Sequence, residues 1–306
     1  MLAFILRRLL TAIPTLFLVV TISFFLIRLA PGGPFDLERP LEAKVMENLN
    51  RIYKLDRPLL EQYLSYLGAL SRGDFGPSFY LRDFSVGDLF AAGLPVSMAL
   101  GGLALLCATV IGGAIGCVAA FRQNSPADYV ATAVGAVGIT VPNFVVAPLL
   151  QILFGLTLAW LPVAGWGGGS WRNLILPVLT LALPQIAVIA RLSRASVIEV
   201  LRSNHIRTLR ALGLPGPVIV RHALRSAALP VISYLGPAAA ALLTGSVVVE
   251  TIFGLPGVGR YFVEGALNRD YTLIMGTVVL VSVFVLVFNL VVDVLYAVID
   301  PRVRLN

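Results

Sequence analysis

The sequence has little charge for its length. Only 13% of its 306 residues are charged, whereas 58% are hydrophobic and the mean hydropathy is +0.89. Because soluble domains carry roughly 25% charged residues, this composition excludes an ordinary soluble globular protein. It predicts a chain that is built into a lipid bilayer.

Lysine, cysteine and histidine are scarce, with two of each. Cys107 and Cys117 lie in one apolar run, about 15 Å apart along a helix, which is too far for a disulfide, and we interpret both as packing residues. His205 and His222 have no neighbours at metal-ligand spacing, so we expect surface histidines and no metal site. Nucleotide-binding loops, hydrolase elbows and metalloprotease motifs are absent from the sequence. The chain is therefore predicted to be no enzyme, and an ion gradient or another subunit must power any work that it does.

The net charge of +7 raises the question of a nucleic-acid partner. The arginines, however, gather at the ends of apolar runs, which is typical of membrane topology. If the N-terminus is cytoplasmic, the tails and cytoplasmic loops hold twelve arginines and the short outer loops hold three. Positive charge favours the cytoplasmic side, so both termini are predicted to be cytoplasmic. We predict membrane lipid as the surroundings and no nucleic-acid partner.

Six apolar runs are long enough to cross a bilayer, which takes about 20 residues. The predicted spans are 9–30, 95–120, 129–158, 174–194, 228–250 and 273–299. A cleaved signal peptide is the alternative for the first run, but no small-residue cleavage site follows it. The fold class is thus predicted as all-α and integral to the membrane, with six transmembrane helices. The predicted parts are a tail with the first helix (1–30), an outer loop (31–94), a five-helix core (95–299) and a tail (300–306).

The outer loop shows helical periodicity in two places. The first set of apolar positions is Leu41, Val45, Leu49 and Ile52, and the second is Leu59, Tyr63, Tyr66, Leu67 and Leu70. Two short helices are predicted there, ending before the turn at 73–76. The loop is too small for an enzyme domain and suits a docking cap.

One basic, helix-patterned stretch, 194–230, lies between two apolar runs. It holds six arginines and a single acid, Glu199. Its centre, 213–217, reads Gly-Leu-Pro-Gly-Pro and predicts a sharp bend, because glycine permits positive φ and proline ends a helix. We predict two short amphipathic helices, 197–211 and 217–227. The apolar side of the first is predicted to hold Val197, Leu201, Ile206, Leu209 and Leu212. Such a segment suits docking onto a partner protein, and a lipid-contacting loop is the alternative.

Proline recurs in or beside the third to fifth spans. Each proline removes a backbone hydrogen bond, which a membrane tolerates where neighbours or a water-filled path satisfy the freed carbonyl. Simple packing kinks are the alternative, but six together favour helices around a central path. They are Pro142, Pro148, Pro177, Pro184, Pro230 and Pro237.

Polar residues inside the spans point to the same path, because polar groups in lipid usually face the bundle interior. The predicted path residues are Thr140, Pro142, Asn143, Gln151 and Gln185. Asn143 is the preferred candidate, and an interhelical hydrogen bond is its alternative role. Asn289 and Asp293 are the remaining polar positions. For Asp293, near the cytoplasmic end, we expect a structural partner such as an arginine rather than a proton relay.

Gly112 and Gly116 form a small-xxx-small pair in the second span. Such pairs let two helix backbones approach closely. We predict a close helix crossing there and no further role.

The 194–230 stretch resembles the cytoplasmic signature loop of ABC-importer permeases, in the oligopeptide/dipeptide/nickel branch. The resemblance rests on four runs: Glu199-Val200-Leu201, 206–214 (IRTLRALGL), 221–225 (RHALR) and Leu229-Pro230. The chain departs at Leu209 and Leu212, where the branch usually has alanine and lysine, and it lacks the general Glu-Ala-Ala form of the signature.

Further motifs of the same branch cover the rest of the chain. The run 250–259 (ETIFGLPGVG) is similar to its hallmark after the fifth span, and 73–78 (GDFGPS) is similar to its outer-loop motif. The opening 4–8 and the ending 300–302 also fit. The run 265–271 looks most like the first permease of oligopeptide importers.

This resemblance implies the fold of a type I ABC-importer permease in the bacterial inner membrane. The loop 195–227 would hold a coupling helix, 201–214, seated on a cytoplasmic ATPase. The implied ATPase-coupling residues are Glu199, Arg207, Thr208, Arg210, Ala211, Gly213, Leu214 and His222. The implied outer family motif comprises Asp74, Gly76, Glu250, Pro256 and Gly257.

The resemblance also implies partners and a substrate. The partners would be a second homologous permease, two cytoplasmic ABC ATPases and a periplasmic peptide-binding protein. ATP and magnesium would be used by the ATPases, with no cofactor on this chain. Oligopeptides are the expected substrate, and dipeptides, murein peptide, glutathione and nickel complexes are the alternatives.

Three other function classes compete with an importer permease. A proton- or sodium-driven transporter would be expected to show carboxylates near mid-membrane and often an inverted repeat, whereas the first five spans show no acid near mid-depth. An intramembrane enzyme would need paired catalytic residues. A structural scaffold would not need the coupling-loop motif.

Overall fold

The computed structural model describes residues 2–30, 32–35, 43–81 and 83–299. Within these ranges the chain is helical, and its only β-type pairing is one bridge between Pro77 and Ser85. The α-helices are α1 (Leu2–Leu29), α2 (Ala43–Ile52), α3 (Leu59–Leu70), α4 (Val86–Phe121), α5 (Pro126–Thr140), α6 (Asn143–Leu150), α7 (Trp171–Leu201), α8 (Asn204–Ala211), α9 (Gly216–Phe253), α10 (Val258–Leu267) and α11 (Tyr271–Ile299).

Among the described residues, five helices are long and apolar enough to cross a membrane, and a bent pair makes six crossings when it is counted as one span. The five are α1, α4, α7, α9 and α11, whose mean hydropathies over the crossing windows range from 1.2 to 2.6. This confirms the all-α membrane fold with six crossings. We call the end that holds α8 the inner end, and the end that holds α2, α3 and α10 the outer end.

The third span is not one straight helix. The predicted crossing 129–158 breaks after Thr140, and the helix pair on either side of the break is bent by 105°. The second half passes from α6 into a π-helical turn, Gln151–Thr157. Val141 at the break is extended, and Pro142 after it has no N–H to continue the helical hydrogen bonds. Hydropathy alone does not reveal such a bend.

The fourth and fifth spans extend beyond their predicted ends. The predicted fourth span, 174–194, is part of α7, which continues to Leu201. The predicted short helix 217–227 is not separate, because α9 runs without interruption from Gly216 to Phe253. The predicted short helix 197–211 is also wrong: its first turn belongs to α7, and α8 begins anew after Ser203.

The second span begins earlier than predicted, at Val86, because a capping box at Ser85 starts the helix.

The core of the bundle lies where α4 crosses α7. A Cβ at Gly112 would come within 2.7 Å of the Ile186 carbonyl oxygen, and a Cβ at Gly116 would come within 2.6 Å of the Ser193 Cβ. The two glycines therefore let the helix backbones approach closely, as predicted. Leu100, Ala104 and Ala108 of α4 are buried and belong to one apolar cluster in this core.

Cys107 and Cys117 are free and partly buried against separate apolar clusters. Their predicted role in packing is confirmed. Both side chains lie on α4.

Ion pairs tie the inner end together. Arg8 of α1 approaches Asp293 of α11 to 3.1 Å, which confirms the expected arginine partner. Asp128 at the start of α5 is buried and pairs with Arg194 of α7 through both oxygens. Arg194 is therefore a fixed part of the frame rather than a free cation of the basic stretch.

The outer loop forms the two predicted helices, α2 and α3. Leu41 and the predicted tail 300–306 lie outside the described residues. Tyr63 of α3 is buried, and Tyr66, Leu67 and Leu70 pack around the same cluster, which also contains Phe24 of α1.

Candidate functional site

The inner end presents α8, a two-turn helix held between α7 and α9. The Ser203 hydroxyl caps its start by accepting from the Ile206 N–H. Ile206 is fully buried and fixes the helix to the bundle. The chain on either side belongs to membrane-crossing helices, so α8 is connected at both ends to spans of the bundle.

The basic face of α8 is open to solvent. Arg207, Thr208, Arg210 and Ala211 are all exposed, and Leu212 after the helix is 71% exposed. The predicted apolar side is therefore only partly correct: Val197 and Ile206 are buried, whereas Leu212 points outward. Because arginine is enriched at protein–protein interfaces, this face suits a protein partner.

Gly213 makes the turn that ends α8. Its φ is +73°, a conformation that side-chain-bearing residues rarely adopt. Its N–H donates to the Arg210 carbonyl and the Leu214 N–H donates to the Leu209 carbonyl. Pro215 follows as the residue before α9. The predicted sharp bend is confirmed.

The remaining predicted coupling residues lie around α8. His222 of α9 is exposed and its ring centroid lies 5.9 Å from that of His205. Leu214 is half-buried in the turn, and Glu199 is exposed on the last turn of α7 rather than on α8. The structure thus brings these residues to one exposed region of the inner end.

The predicted path residues lie along the broken third crossing and on α7. Thr140 and Pro142 are exposed at the break between α5 and α6, and the Thr140 hydroxyl donates to the Ala136 carbonyl. Asn143 begins α6, and its Oδ1 is buried without a hydrogen-bond partner among the described residues. A buried acceptor of this kind is costly unless something donates to it.

Gln151 and Gln185 each join two segments. The Gln151 amide donates to the Val163 carbonyl and, more weakly, to the Ile252 carbonyl at the end of α9. Gln185 of α7 accepts from the Tyr234 hydroxyl of α9 at 2.8 Å. These bonds connect the broken third crossing and α7 with α9.

A buried carboxylate organises the outer motif 250–259. Glu250 is fully buried, and its carboxylate accepts from the Ser97 hydroxyl of α4 and from the Gly259 N–H. A Cβ at Gly257 would overlap this carboxyl group, and one at Gly259 would lie 2.5 Å from the Val247 Cα. Both glycines are therefore required for close packing, and Pro256 lies just before them in the turn.

A second buried carboxylate holds the outer-loop motif 73–78. Asp270 caps α11 by accepting from the Leu273 N–H, and it also accepts from the Ser78 hydroxyl and the Phe79 and Tyr80 N–H groups. Within the motif, Asp74 accepts from the Gly76 N–H, and the φ of +84° at Gly76 suits glycine.

Three residues that join distant segments were not predicted from the sequence. They are Ser97, Asp128 and Asp270, the last in its role as a hydrogen-bond acceptor. Ser97 lies inside an apolar run, and a lone small polar residue there is a weak signal. Asp128 follows Ser125-Pro126, which is a recognisable helix start. Their partners lie far along the chain, so no local pattern identified the pairs.

Comparisons with known proteins cover nearly the whole chain. Residues 112–305 match the family described as binding-protein-dependent transport system inner membrane component. Residues 1–92 match the N-terminal family of the same transport-system membrane components.

Curated relatives align end to end. The oligopeptide transport system permease protein OppB of Salmonella typhimurium is 54% identical over 99% of this chain and 100% of that protein. The dipeptide transport system permease protein DppB of Bacillus subtilis is 42% identical over 99% of this chain and 98% of that protein.

One solved structure shares the fold. It is described as a crystal structure of an amino acid ABC transporter with histidines, and it aligns with a TM-score of 0.52 at 21% identity. The alignment covers 69% of this chain and 94% of the solved chain. At this identity the likeness concerns the fold alone.

Proposed function

The chain belongs to the inner membrane components of binding-protein-dependent transport systems, and we propose that it is the permease subunit of an importer that carries oligopeptides inward. The 54% identity to an oligopeptide permease over the full length of both chains supports this substrate class. The chain would form half of the translocation path and perform no chemistry itself.

The exposed basic face of α8 is the observation that carries the proposal. Buried Ile206 and the short connections to α7 and α9 would make α8 move together with two membrane-crossing helices. A partner that pushes on α8 would therefore displace both crossings. Because the sequence contains no nucleotide-binding loop, the partner would be a separate ATPase that uses ATP and magnesium and supplies the energy of ATP hydrolysis.

The family's dependence on a binding protein supports the proposal of further partners. We infer a second homologous permease that completes the path, a pair of cytoplasmic ATPases and a periplasmic peptide-binding protein. The arginine-rich inner end would face the cytoplasm together with both termini. The outer-loop motif 73–78 and the motif 250–259 would stabilise the surface on which the binding protein docks.

The path is proposed to run along the broken third crossing and α7. Asn143 would offer its unpartnered Oδ1 to solute or water, and Thr140 and Pro142 would lie beside it. Gln151 and Gln185 would hold neighbouring segments rather than bind solute in this conformation, because both side chains already have protein partners.

The turn at Gly213 provides the decisive experiment. An added Cβ at Gly213 would meet nothing within 4 Å, but the φ of this residue is positive. We expect Gly213→Val to uncouple ATP hydrolysis from peptide uptake in proteoliposomes, because valine strains the turn that seats α8. The matched control, Gly213→Asn, should retain coupling, because asparagine tolerates a positive φ. Wild-type uptake by the Gly213→Val variant would overturn the coupling role.

Purification tests the partners, and peptide length tests the substrate. A mild-detergent pull-down should recover a second permease and ATPase subunits, whereas a chain that purifies alone and moves solute under an ion gradient would contradict the proposal.

Dipeptides are the second candidate substrate, since the relative at 42% identity is a dipeptide permease. Uptake that saturates with dipeptides and not with longer peptides would favour that alternative.

A further inference from the structure

The outer helix α3 has an apolar flank that the described chain leaves uncovered. Leu60 is 64% exposed and Leu64 is 58% exposed. The neighbouring side of the same helix, which carries Tyr63, packs against α1. Two adjacent exposed leucines on a loop expected to face water indicate a contact surface.

Tyr63 fixes the position of α3 along the axis of α1. Its hydroxyl shares a hydrogen bond of 2.6 Å with the Thr21 hydroxyl, and its ring centroid lies 5.3 Å from those of Phe24 and Phe25. Thr21 lies about 12 Å below the outer end of α1 at the usual rise per residue. Since the hydrocarbon core is about 30 Å thick, α3 lies beside the outer part of this crossing and not above it.

Arg28, one turn above Phe24 on α1, marks the polar boundary next to this contact. Its guanidinium lies 4.8 Å from the centroid of Phe24 and 5.3 Å from that of Tyr271. Cationic and aromatic side chains gather at the junction of headgroups and acyl chains. The rings that contact Tyr63 therefore belong to this junction, which places α3 in it.

The sides of α3 suit such a position. At 100° per residue, Leu60 and Leu64 lie next to the side that faces α1, whereas Glu61 and Ser65 lie opposite that side. Glu61 accepts from exposed Arg57 at 2.7 Å. An interfacial helix needs this arrangement, with an apolar flank in the acyl chains and a polar side in water.

The exposed surface of α1 continues this flank. Leu26, like Ile22 one turn below it, is exposed beside the positions that contact α3. In a membrane-crossing helix such residues face lipid. The leucines of α3 thus extend a surface that already belongs to the bilayer, rather than forming an isolated patch.

We propose that α3 is an interfacial helix whose Leu60 and Leu64 insert among the acyl chains of the outer leaflet. It would anchor the outer loop to the bilayer surface and hold the motif 73–78, which follows it directly, at a fixed height. The proposal does not depend on which solute is carried. A flank that docks another protein is the competing outcome.

Fluorescence quenching can separate these outcomes. In a background with Cys107→Ala and Cys117→Ala, single variants Leu64→Cys and Ser65→Cys would be labelled with bimane. The full-length chain, with any subunits that co-purify, would be placed in proteoliposomes containing brominated phospholipids or exposed to aqueous iodide. Ser65→Cys is the matched control, because it lies on the same helix and side chains at both positions are exposed.

We expect brominated lipid to quench the Leu64→Cys label several-fold more than the Ser65→Cys label, and iodide to show the reverse order. The label at Leu60→Cys should be quenched in the same pattern as the label at Leu64→Cys. This agreement would exclude an effect that is particular to one labelled position. Quenching of the Leu64→Cys label by iodide alone would overturn the proposal. So would protection from both quenchers, which would show that another protein covers the flank.

Discussion

The buried carboxylates of the outer end and the helix α8 of the inner end are built into this bundle in opposite ways. At the outer end, two fully buried carboxylates, Glu250 and Asp270, accept hydrogen bonds from segments far apart in sequence. At the inner end, α8 is attached through buried Ile206 and leaves its arginines exposed. These two outer carboxylates are satisfied within the chain, whereas the arginines of α8 face outward.

This difference separates residues that stabilise the isolated chain from residues that remain available to a partner. A buried acceptor whose donors are also buried stabilises the isolated chain, because losing it leaves donors unpaired. An exposed cation contributes little to the fold and remains available to a partner. Substitutions at the outer end should therefore change the free energy of unfolding of the chain, and exposed substitutions at the inner end should change transport.

Asp270→Ala is expected to have the largest effect on stability. It removes the acceptor for the Ser78 hydroxyl and the Leu273 N–H, both buried, and we expect a loss of about 3 kcal/mol or more because unpaired buried donors are costly. Unfolding of the purified chain by SDS in mixed micelles measures this loss. A change below about 1 kcal/mol, the net value of one ordinary hydrogen bond, would show that water replaces the carboxylate and would break the contrast between the two ends.

Gly257→Ala should destabilise the outer end through overlap. Its Cβ would meet the Glu250 carboxyl group, and overpacking typically costs about 1–3 kcal/mol. The control is Gly113→Ala in α4, where a Cβ meets nothing within 4 Å. The same SDS titration should show a loss for the first variant only, and equal behaviour of the two would contradict the close packing of this motif.

Ser196→Ala tests the frame beneath the inner end. The buried Ser196 hydroxyl donates to the Ala227 carbonyl at 2.9 Å and joins α7 to α9. Loss of one neutral hydrogen bond should cost about 1 kcal/mol, less than either outer substitution. A loss as large as that of Asp270→Ala would mean that the inner end is held as firmly as the outer end.

Leu212→Ser should have the smallest effect on stability and a clear effect on transport. Exposed substitutions usually stay within about 0.5 kcal/mol, and Leu212 is 71% exposed beside α8. We expect unchanged SDS unfolding together with reduced peptide-stimulated ATP hydrolysis in the assembled importer. Full activity would remove Leu212 from the coupling surface, whereas lost stability would place it in the fold.

Much of the fold could be predicted from local pattern. The six crossings follow from apolar runs, because a bilayer selects length and hydrophobicity. The turn at Gly213 follows from glycine beside proline, and the close crossing at Gly112 and Gly116 follows from their spacing. The arginine partner of Asp293 could be expected because an acid near a membrane boundary needs one.

Other features depended on which segments meet in space. The break at Thr140–Pro142 could not be seen in the hydropathy of 129–158, because a bent crossing and a straight one have the same composition. The continuity of α9 was missed because its first turns are basic and its later turns apolar, so the sequence looks like two elements. Helical hydrogen bonds continue across such a change of surroundings.

The sequence by itself determined the class of the protein, the number of its crossings and the place of its exposed basic turn, since each depends on neighbouring residues. Only the tertiary structure decided that Glu250 meets Ser97, that Asp270 holds the outer-loop motif and that Arg194 is occupied by Asp128. Each of these contacts joins residues more than 60 positions apart. A local pattern states what a side chain needs, and packing decides which distant group supplies it.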